Sequence, residues 1–335
     1  MIDDAVLNFS AGSLTLLNAI LAVVMFSIAI DLKPSDFKAL AKAPKPLLVG
    51  LASQFIVLPV LTFLLVLVAR LEASVALSLI LVAACPGGNI SNFITHRTGG
   101  NAALSVSMTA FATVAAIVLT PLNIAFWGSL YEPSAEILRT TVIDPVSMAI
   151  TVGLMLILPL FLGVTLNARC PDLTCKLRLP LQWISMAICI AFFIIALAAN
   201  WALFLAFAGG IAGLVFVHNA LELAGGYATA SLGGLSPFDR RAVTIETGIQ
   251  NSGLGLVLIF GFFGGLGGMA IVAAFWGVWH AISDWYWPVS CRARWQRDDP
   301  YSDHRWRRYD RARIGRGTTG PRYRRDRSSS CRLAG

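Results

Sequence analysis

CPGGNISN, residues 85–92, decides how the rest of the chain is read. It interrupts a run, about Ser74 to Arg97, that is otherwise long and apolar enough to be one helix. Pro86 removes a backbone donor and Gly87 and Gly88 relax the helix, so the spacing predicts a break here. A break surrounded by hydrocarbon frees carbonyls and amides, and these survive only inside protein or along a wet cavity, which suits ion and substrate binding. A second polar island, ETGIQNS at residues 246–252, lies in another apolar run far downstream. Its Glu246, if ionised at a helix centre in lipid, costs about 2.5 to 3.5 kcal/mol on insertion scales. Something must offset that charge, and a bound cation is the leading candidate.

Composition puts both islands in a membrane. The 335 residues are 56% hydrophobic and 13% charged, with a mean hydropathy of +0.71, which excludes an ordinary soluble enzyme. Residues 13–288 read as successive apolar spans of the length that crosses about 30 Å of hydrocarbon. Met1 to Ser10 has Asp3 and Asp4 and no basic segment, so no signal peptide is expected and the first span stays. The net charge of +8 comes from one segment: Cys291 to Gly335 holds 14 Arg against 5 Asp, leaving 12 basic and 13 acidic residues elsewhere. No GxSxG, GxxxxGK[ST] or HExxH pattern occurs, and the chain is not expected to be an enzyme. Six scattered cysteines without a CxxC predict neither a disulfide nor a metal site.

Working outward along the chain, nine spans are expected. They run over about 13–30, 46–68, 74–97, 101–127, 140–166, 179–199, 202–232, 242–263 and 265–288. The glycine-rich stretch Gly261 to Gly268 reads as a close turn between the last two, and the segment bearing Glu132 and Glu136 as a loop. Lys33, Lys38, Lys42 and Lys45 crowd the loop after the first span. Excess Lys and Arg stay cytoplasmic, so the N-terminus (1–12) is expected outside and the C-terminus inside the cell's plasma (inner) membrane. The two islands fall five spans apart, which suggests inverted five-helix repeats with the first helix missing. Residues 289–335 are arginine-rich and without apolar period; they read as a disordered cytoplasmic tail. Its RRYDRARIGR stretch could touch anionic lipid or nucleic acid, although a solvated tail is the simpler reading and no nucleic-acid partner is expected.

Oxygen-bearing side chains gather at both islands. Asn89, Ser91 and Asn92 are followed one span later by Ser105, Ser107 and Thr109. Ser105 and Thr109 share one helix face, and hydroxyls, amides and freed carbonyls are the oxygens that alkali cations want. Small polar residues also glue membrane helices together, and that reading stays open here. Glu246 and Gln250 repeat the i, i+4 spacing, with Asn251 and Ser252 next, and this density is hard to explain as packing. Gln54 could complete a second cation site or simply bridge two helices. His218 and Glu222, also four apart, suit a mutual hydrogen bond, a polar face or a metal. His280 could donate to an anion or be a satisfied core histidine.

At these residues the sequence resembles the bile acid:sodium symporter family, in particular its bacterial members. The matches are MFSIAIDLKPSDF (25–37), SQF (53–55), ACPGGNISN (84–92), ALSVSMTA (103–110) and ETGIQNSGL (246–254). Asn89 departs from the threonine often seen after the two glycines. The resemblance implies an all-α polytopic fold with two broken, crossing helices in a core domain, about 46–127 and 202–288. A panel domain, about 13–31 and 140–200, would face it. It also implies one sodium among Ser91, Asn92, Ser105, Thr109 and Glu246. A second would lie among Glu246, Gln250, Gln54 and the carbonyls of Thr247 and Ile249. The substrate would sit near Asn89, Asn251 and His280. Two sodium ions as coupling ions, an organic anion as substrate and the lipid bilayer are the expected partners, with no other cofactor. The expected function is sodium-driven uptake of an organic anion, such as a bile acid or small carboxylate, by alternating access. Two alternatives stand beside it: a cation/proton exchanger using Glu246, and a membrane scaffold or receptor acting through the basic tail.

Overall fold

The computed structural model describes residues 11–30, 44–88, 90–141, 144–199 and 201–279. The chain divides into two units, Met1–Pro288 and Val289–Gly335, and every described residue belongs to the first. The lysine-rich loop after the first span, the segment beyond Trp279 and the arginine-rich tail lie outside the described residues.

Twelve helices follow one another among those residues: α1 Ala11–Ala29, α2 Pro44–Ala69, α3 Ala73–Ala84, α4 Ile90–Arg97, α5 Ala102–Leu130 and α6 Glu132–Thr141. Then come α7 Pro145–Arg169, α8 Pro171–Ala199, α9 Trp201–Leu232, α10 Pro237–Thr247, α11 Ser252–Phe262 and α12 Gly267–Trp279. Four stretches, Pro44–Ala69, Ala102–Leu130, Val146–Arg169 and Gly209–Leu232, are long and apolar enough to cross a bilayer. Among the described residues there is no strand, and an antiparallel bridge joins Gly87 to Gln250.

The helices turn apolar stripes outward and bury several polar side chains among an apolar core. On α5, Val114, Val118, Leu122, Phe126 and Leu130 follow one another every four residues and are all exposed. The opposite face buries Ser105, Thr109, Thr113 and Thr120. On α7, Val146, Ile150, Leu154, Leu158 and Phe161 make a similar exposed stripe. In water such stripes would be aggregation surfaces, whereas against lipid tails they cost nothing. The chain is a multi-pass membrane protein. Its centre is α3, buried along Ser74–Ala84, with the buried parts of α10 and α11 beside it. Around these, α5 packs on α2, α3, α4, α7 and α10, while α1 packs on α7, α8 and α11.

Several expectations needed correction. The stretch bearing Glu132 and Glu136 is not a loop but a surface helix, α6, in which Arg139 bridges back to Glu132 at 2.9 Å. The fifth span starts at Pro145, after Asp144 caps α7 through the amides of Val146 and Ser147. The sixth begins already at Pro171 and carries Pro180 inside the helix, so Lys176 is helical rather than in a loop. Cys175 is disulfide-bonded, against the expectation of none, whereas Cys85 and Cys170 are free. Pairing depends on which side chains folding brings together, and separation along the chain does not reveal it. The turn after α11 is as read, with Gly264 and Gly265 at φ of 61° and 70°, where a side chain would be strained.

Asn101 shows how one residue ties two spans together. Its Oδ1 accepts the amide of Leu104 at 3.1 Å, capping α5, and its Nδ2 donates to Asp239 Oδ1 at 2.7 Å in the first turn of α10. Replacing Asn101 by alanine is expected to cost about 0.5–2 kcal/mol, the usual loss for an N-cap, read as a lower midpoint of thermal unfolding in detergent.

Candidate functional site

The two breaks meet. Cys85 to Gly88 follow α3, residues 248–251 separate α10 from α11, and the two stretches cross antiparallel inside the first unit. Gly88 donates its amide to the Ile249 carbonyl at 2.6 Å, and Asn251 donates its amide to the Pro86 carbonyl at 3.0 Å. Glycine is required by the closeness of this crossing. A Cβ on Gly87 would stand 2.6 Å from Glu246 Oε1, and one on Gly88 would stand 3.0 Å from the Gln250 carbonyl oxygen.

Several carbonyls freed by the breaks have found donors, as burial in an apolar medium favours. Beyond α3, the Ala84 carbonyl accepts from Thr120 Oγ1 at 2.6 Å and the Cys85 carbonyl from Gln54 Nε2 at 3.0 Å. Beyond α10, the Thr247 carbonyl accepts from Gln250 Nε2 at 2.7 Å and the Gly248 carbonyl from Asn219 Nδ2 at 2.7 Å. Gln54 reaches the crossing from a five-residue π-helical turn, Ser53–Val57, inside α2. Such wide turns frequently mark functional positions. The same turn puts Ser53 Oγ 3.0 Å from Thr247 Oγ1.

Glu246 is buried beneath the crossing, at 1% exposure. Ser105 Oγ donates to its Oε2 at 2.9 Å and Thr109 Oγ1 to its Oε1 at 2.5 Å. Ser91 Oγ stands 2.5 Å from Oε2 and 2.6 Å from the Gly88 carbonyl. Thr109 Oγ1 also lies 3.3 Å from Asn92 Oδ1 and 3.1 Å from the Ser105 carbonyl. Three hydroxyl protons thus serve two carboxyl oxygens, two carbonyls and an amide oxygen, so acceptors outnumber donors. Among the described residues no cationic side chain pairs with Glu246. An oxygen-rich, proton-poor cluster around an acid is a donor set that could hold a hard monovalent cation. Beside it, Gln54 Nε2 also donates to Gln250 Oε1 at 2.6 Å, while Gln54 Oε1 is buried without a hydrogen-bond partner.

Most of the residues singled out by sequence therefore converge on one place: Ser91, Asn92, Ser105 and Thr109 around Glu246, and Gln54, Gln250, Thr247 and Ile249 along the crossing. Asn251 caps α11 by accepting the Leu254 amide at 3.0 Å, which leaves its Nδ2 facing Met25 of α1, 4.0 Å from Sδ. Ser107 does not join them, because its hydroxyl donates back to the Ala103 carbonyl on its own helix. Asn89 and His280 lie outside the described residues. Sequence reading missed Ser53, Thr120 and Asn219, which hold the crossing from three different helices. Thr120 showed only as a lone polar residue in an apolar span, whereas Ser53 stands beside Gln54 and Asn219 beside His218. Among the described residues no cluster of three or more His, Cys, Asp or Glu could hold a metal ion.

With this geometry in view, similarity to known proteins becomes informative. The profile of the Sodium Bile acid symporter family matches residues 18–207. An uncharacterized sodium-dependent transporter of Bacillus subtilis, YocS, is 30% identical over 284 residues, covering 83% of this chain and 85% of its own. A probable sodium/metabolite cotransporter of rice chloroplasts, BASS1, is 31% identical over 244 residues, covering 73% of this chain and 58% of its own. The human ileal sodium/bile acid cotransporter is 29% identical over 244 residues, covering 72% of this chain and 67% of its own. With matches of this extent on both sides of the first break, the chain belongs to the sodium bile acid symporter family, whose members are membrane transporters and not enzymes.

Proposed function

We propose that this protein is a sodium-coupled symporter that takes up an organic anion, such as a bile acid or small carboxylate, by alternating access. The observation that carries the proposal is Glu246: an acid buried at the crossing of two broken helices, ringed by Ser91, Ser105 and Thr109, without a cationic partner among the described residues. One sodium ion would take Ser91, Asn92, Ser105, Thr109 and Glu246. A second would take Glu246, Gln54, Gln250 and the carbonyls of Thr247 and Ile249. Hydroxyls and amides can turn from donating to accepting around an ion, and Gln54 Oε1 already needs a partner.

The anion would bind beside the crossing, near Asn89, Asn251 and His280, where the N-termini of α4 and α11 favour negative charge. Sodium and anion then help each other: each orders the crossing that the other requires, and coupling of this kind is reciprocal. The driving force suffices. Two ions moving down a tenfold gradient release about 2.8 kcal/mol. One net positive charge crossing 100 mV adds about 2.3 kcal/mol.

In this reading nine helices cross the plasma membrane as inverted repeats that lack the first helix, with the N-terminus outside and the C-terminus in the cytoplasm. A core of about 46–127 and 202–288 moves against a panel of about 13–31 and 140–200. Residues 289–335 form a cytoplasmic tail.

The test is thermal unfolding of the detergent-purified protein with a panel of carboxylates, taurocholate among them, in sodium chloride and in choline chloride. A transported anion should raise the unfolding midpoint in sodium and leave it unmoved in choline, because only ligands of the folded state stabilise it. Equal shifts in both salts would defeat sodium coupling.

A further inference from the structure

One buried acid remains outside the constellation just described. Glu222 of α9 is fully buried, and neither of its carboxyl oxygens has a hydrogen-bond partner. One turn earlier on the same helix His218, also fully buried, has Nε2 3.6 Å from Glu222 Oε1, too far for a hydrogen bond. That nitrogen is instead 2.7 Å from Thr62 Oγ1 of α2, and the ring packs edge-on against Trp276 of α12 at 5.3 Å. His218 Nδ1 has no hydrogen-bond partner. An ionised carboxylate without a single donor, inside protein and inside a membrane, is costly. A charge-separated pair held at this distance repays little of that cost. One proton on the carboxyl makes the pair neutral without any other group.

Between the two residues in sequence stands Asn219. Its Nδ2 donates to the Gly248 carbonyl in the second break at 2.7 Å, and its Oδ1 accepts from Trp279 Nε1 at 3.2 Å. Asn219 precedes Glu222 by three residues on α9, which places the two side chains on one face of the helix. A bare carboxylate is the stronger acceptor and would compete with Gly248 for Nδ2, whereas a protonated carboxyl would not. The Gly248 carbonyl lies between those of Thr247 and Ile249, so losing its donor disturbs the backbone that the second sodium is proposed to use.

We propose that Glu222 and His218 form a proton-binding site, separate from the cluster around Glu246, and that its proton favours sodium binding by leaving Asn219 on the Gly248 carbonyl. This rests on the sodium-coupled reading above. The described helices around the pair add no competing titratable group at its level. The segment of α2 beside it, Leu58–Ala69, and the described residues of α12 have none. Near the far end of α2, Lys45 lies by Gly234. On α10, Glu246 points into its own cluster, Asp239 bonds to Asn101, and Arg240 and Arg241 sit near Tyr227 and Gly99 at the start of the helix. On α8, Asp172 and Lys176 are in the exposed first turns.

The experiment is a sodium titration of thermal stability in detergent, across pH, on the parent protein, Glu222→Gln and His218→Asn. A proton competes with sodium for Glu246, so affinity should rise with pH on the acid side. Loss of the Glu222 proton should then lower it again, by about tenfold, on the alkaline side, within the usual range of site-to-site coupling. Glu222→Gln keeps the shape of the protonated acid and should abolish only the alkaline fall. His218→Asn leaves the acid and Asn219 in place, and because His218 is uncharged in the one-proton pair the variant should retain the alkaline fall without moving it to higher pH. A parent without an alkaline fall, or a Glu222→Gln variant that retains it, overturns the proposal while leaving sodium coupling intact. Absence of sodium stabilisation at every pH overturns the sodium reading itself. As a readout independent of sodium, the infrared carbonyl band of a protonated carboxyl should be present in the parent and missing in Glu222→Gln. A band that persists unchanged overturns the assignment of the proton to Glu222.

Discussion

Glu246→Gln is expected to lower sodium affinity at least tenfold, about 1.4 kcal/mol, and to abolish sodium-driven uptake. Glutamine has nearly the shape of glutamate, so the side chain can still reach Ser91, Ser105 and Thr109. What it lacks is the net charge that balances a cation among neutral oxygens. The same substitution should leave the protein at least as stable in sodium-free buffer, because it removes a buried charge without a cationic partner. The two effects have opposite signs, and that separates a ligand role from a packing role. A sodium titration of the unfolding midpoint reads both. Unaltered sodium dependence would take Glu246 out of the binding site, and a large loss of stability in sodium-free buffer would make the residue structural.

Gly87→Ala is expected to impair the same site by steric means alone. The added methyl would stand 2.6 Å from Glu246 Oε1 and 3.1 Å from its Cδ, so the carboxyl must move. The oxygen it displaces is the one that accepts from Thr109 at 2.5 Å. Overpacking of this degree costs about 1–3 kcal/mol, and here it falls on the ligand geometry. Sodium affinity should drop by an order of magnitude or more, together with the unfolding midpoint. Gly210→Ala on α9, where a Cβ meets nothing within 4 Å, is the control and should change neither. If Gly87→Ala bound sodium as the parent does, the closeness of the crossing would be irrelevant to the ion.

The parts of this protein that sequence disclosed follow from rules acting over a few residues. Apolar length defined the spans, Pro86 with Gly87 and Gly88 defined a break, and Glu246 declared itself because a charge in lipid needs a reason. Where a stretch was short and polar, as at Glu132–Thr141, the same rules suggested a loop and missed a surface helix. Ser105 was favoured over Ser107 by its i, i+4 pairing with Thr109, and the rotation of α5 brings its hydroxyl to Glu246 while that of Ser107 returns to its own backbone.

By itself, then, the sequence determined a polytopic helical membrane protein with two polar interruptions and an acid that demands compensation. The crossing and the meeting of Gln54 with Gln250 were expected only by resemblance to relatives; tertiary structure alone decided that a π-helical turn delivers Gln54 across 196 residues and that Thr120 and Asn219 close the Ala84 and Gly248 carbonyls. The reason is the range of the interactions. Hydrophobic length and helix breaking are properties of a local segment. Satisfying a buried peptide group requires a particular donor at about 3 Å, and any of several polar residues could have served until the helices packed.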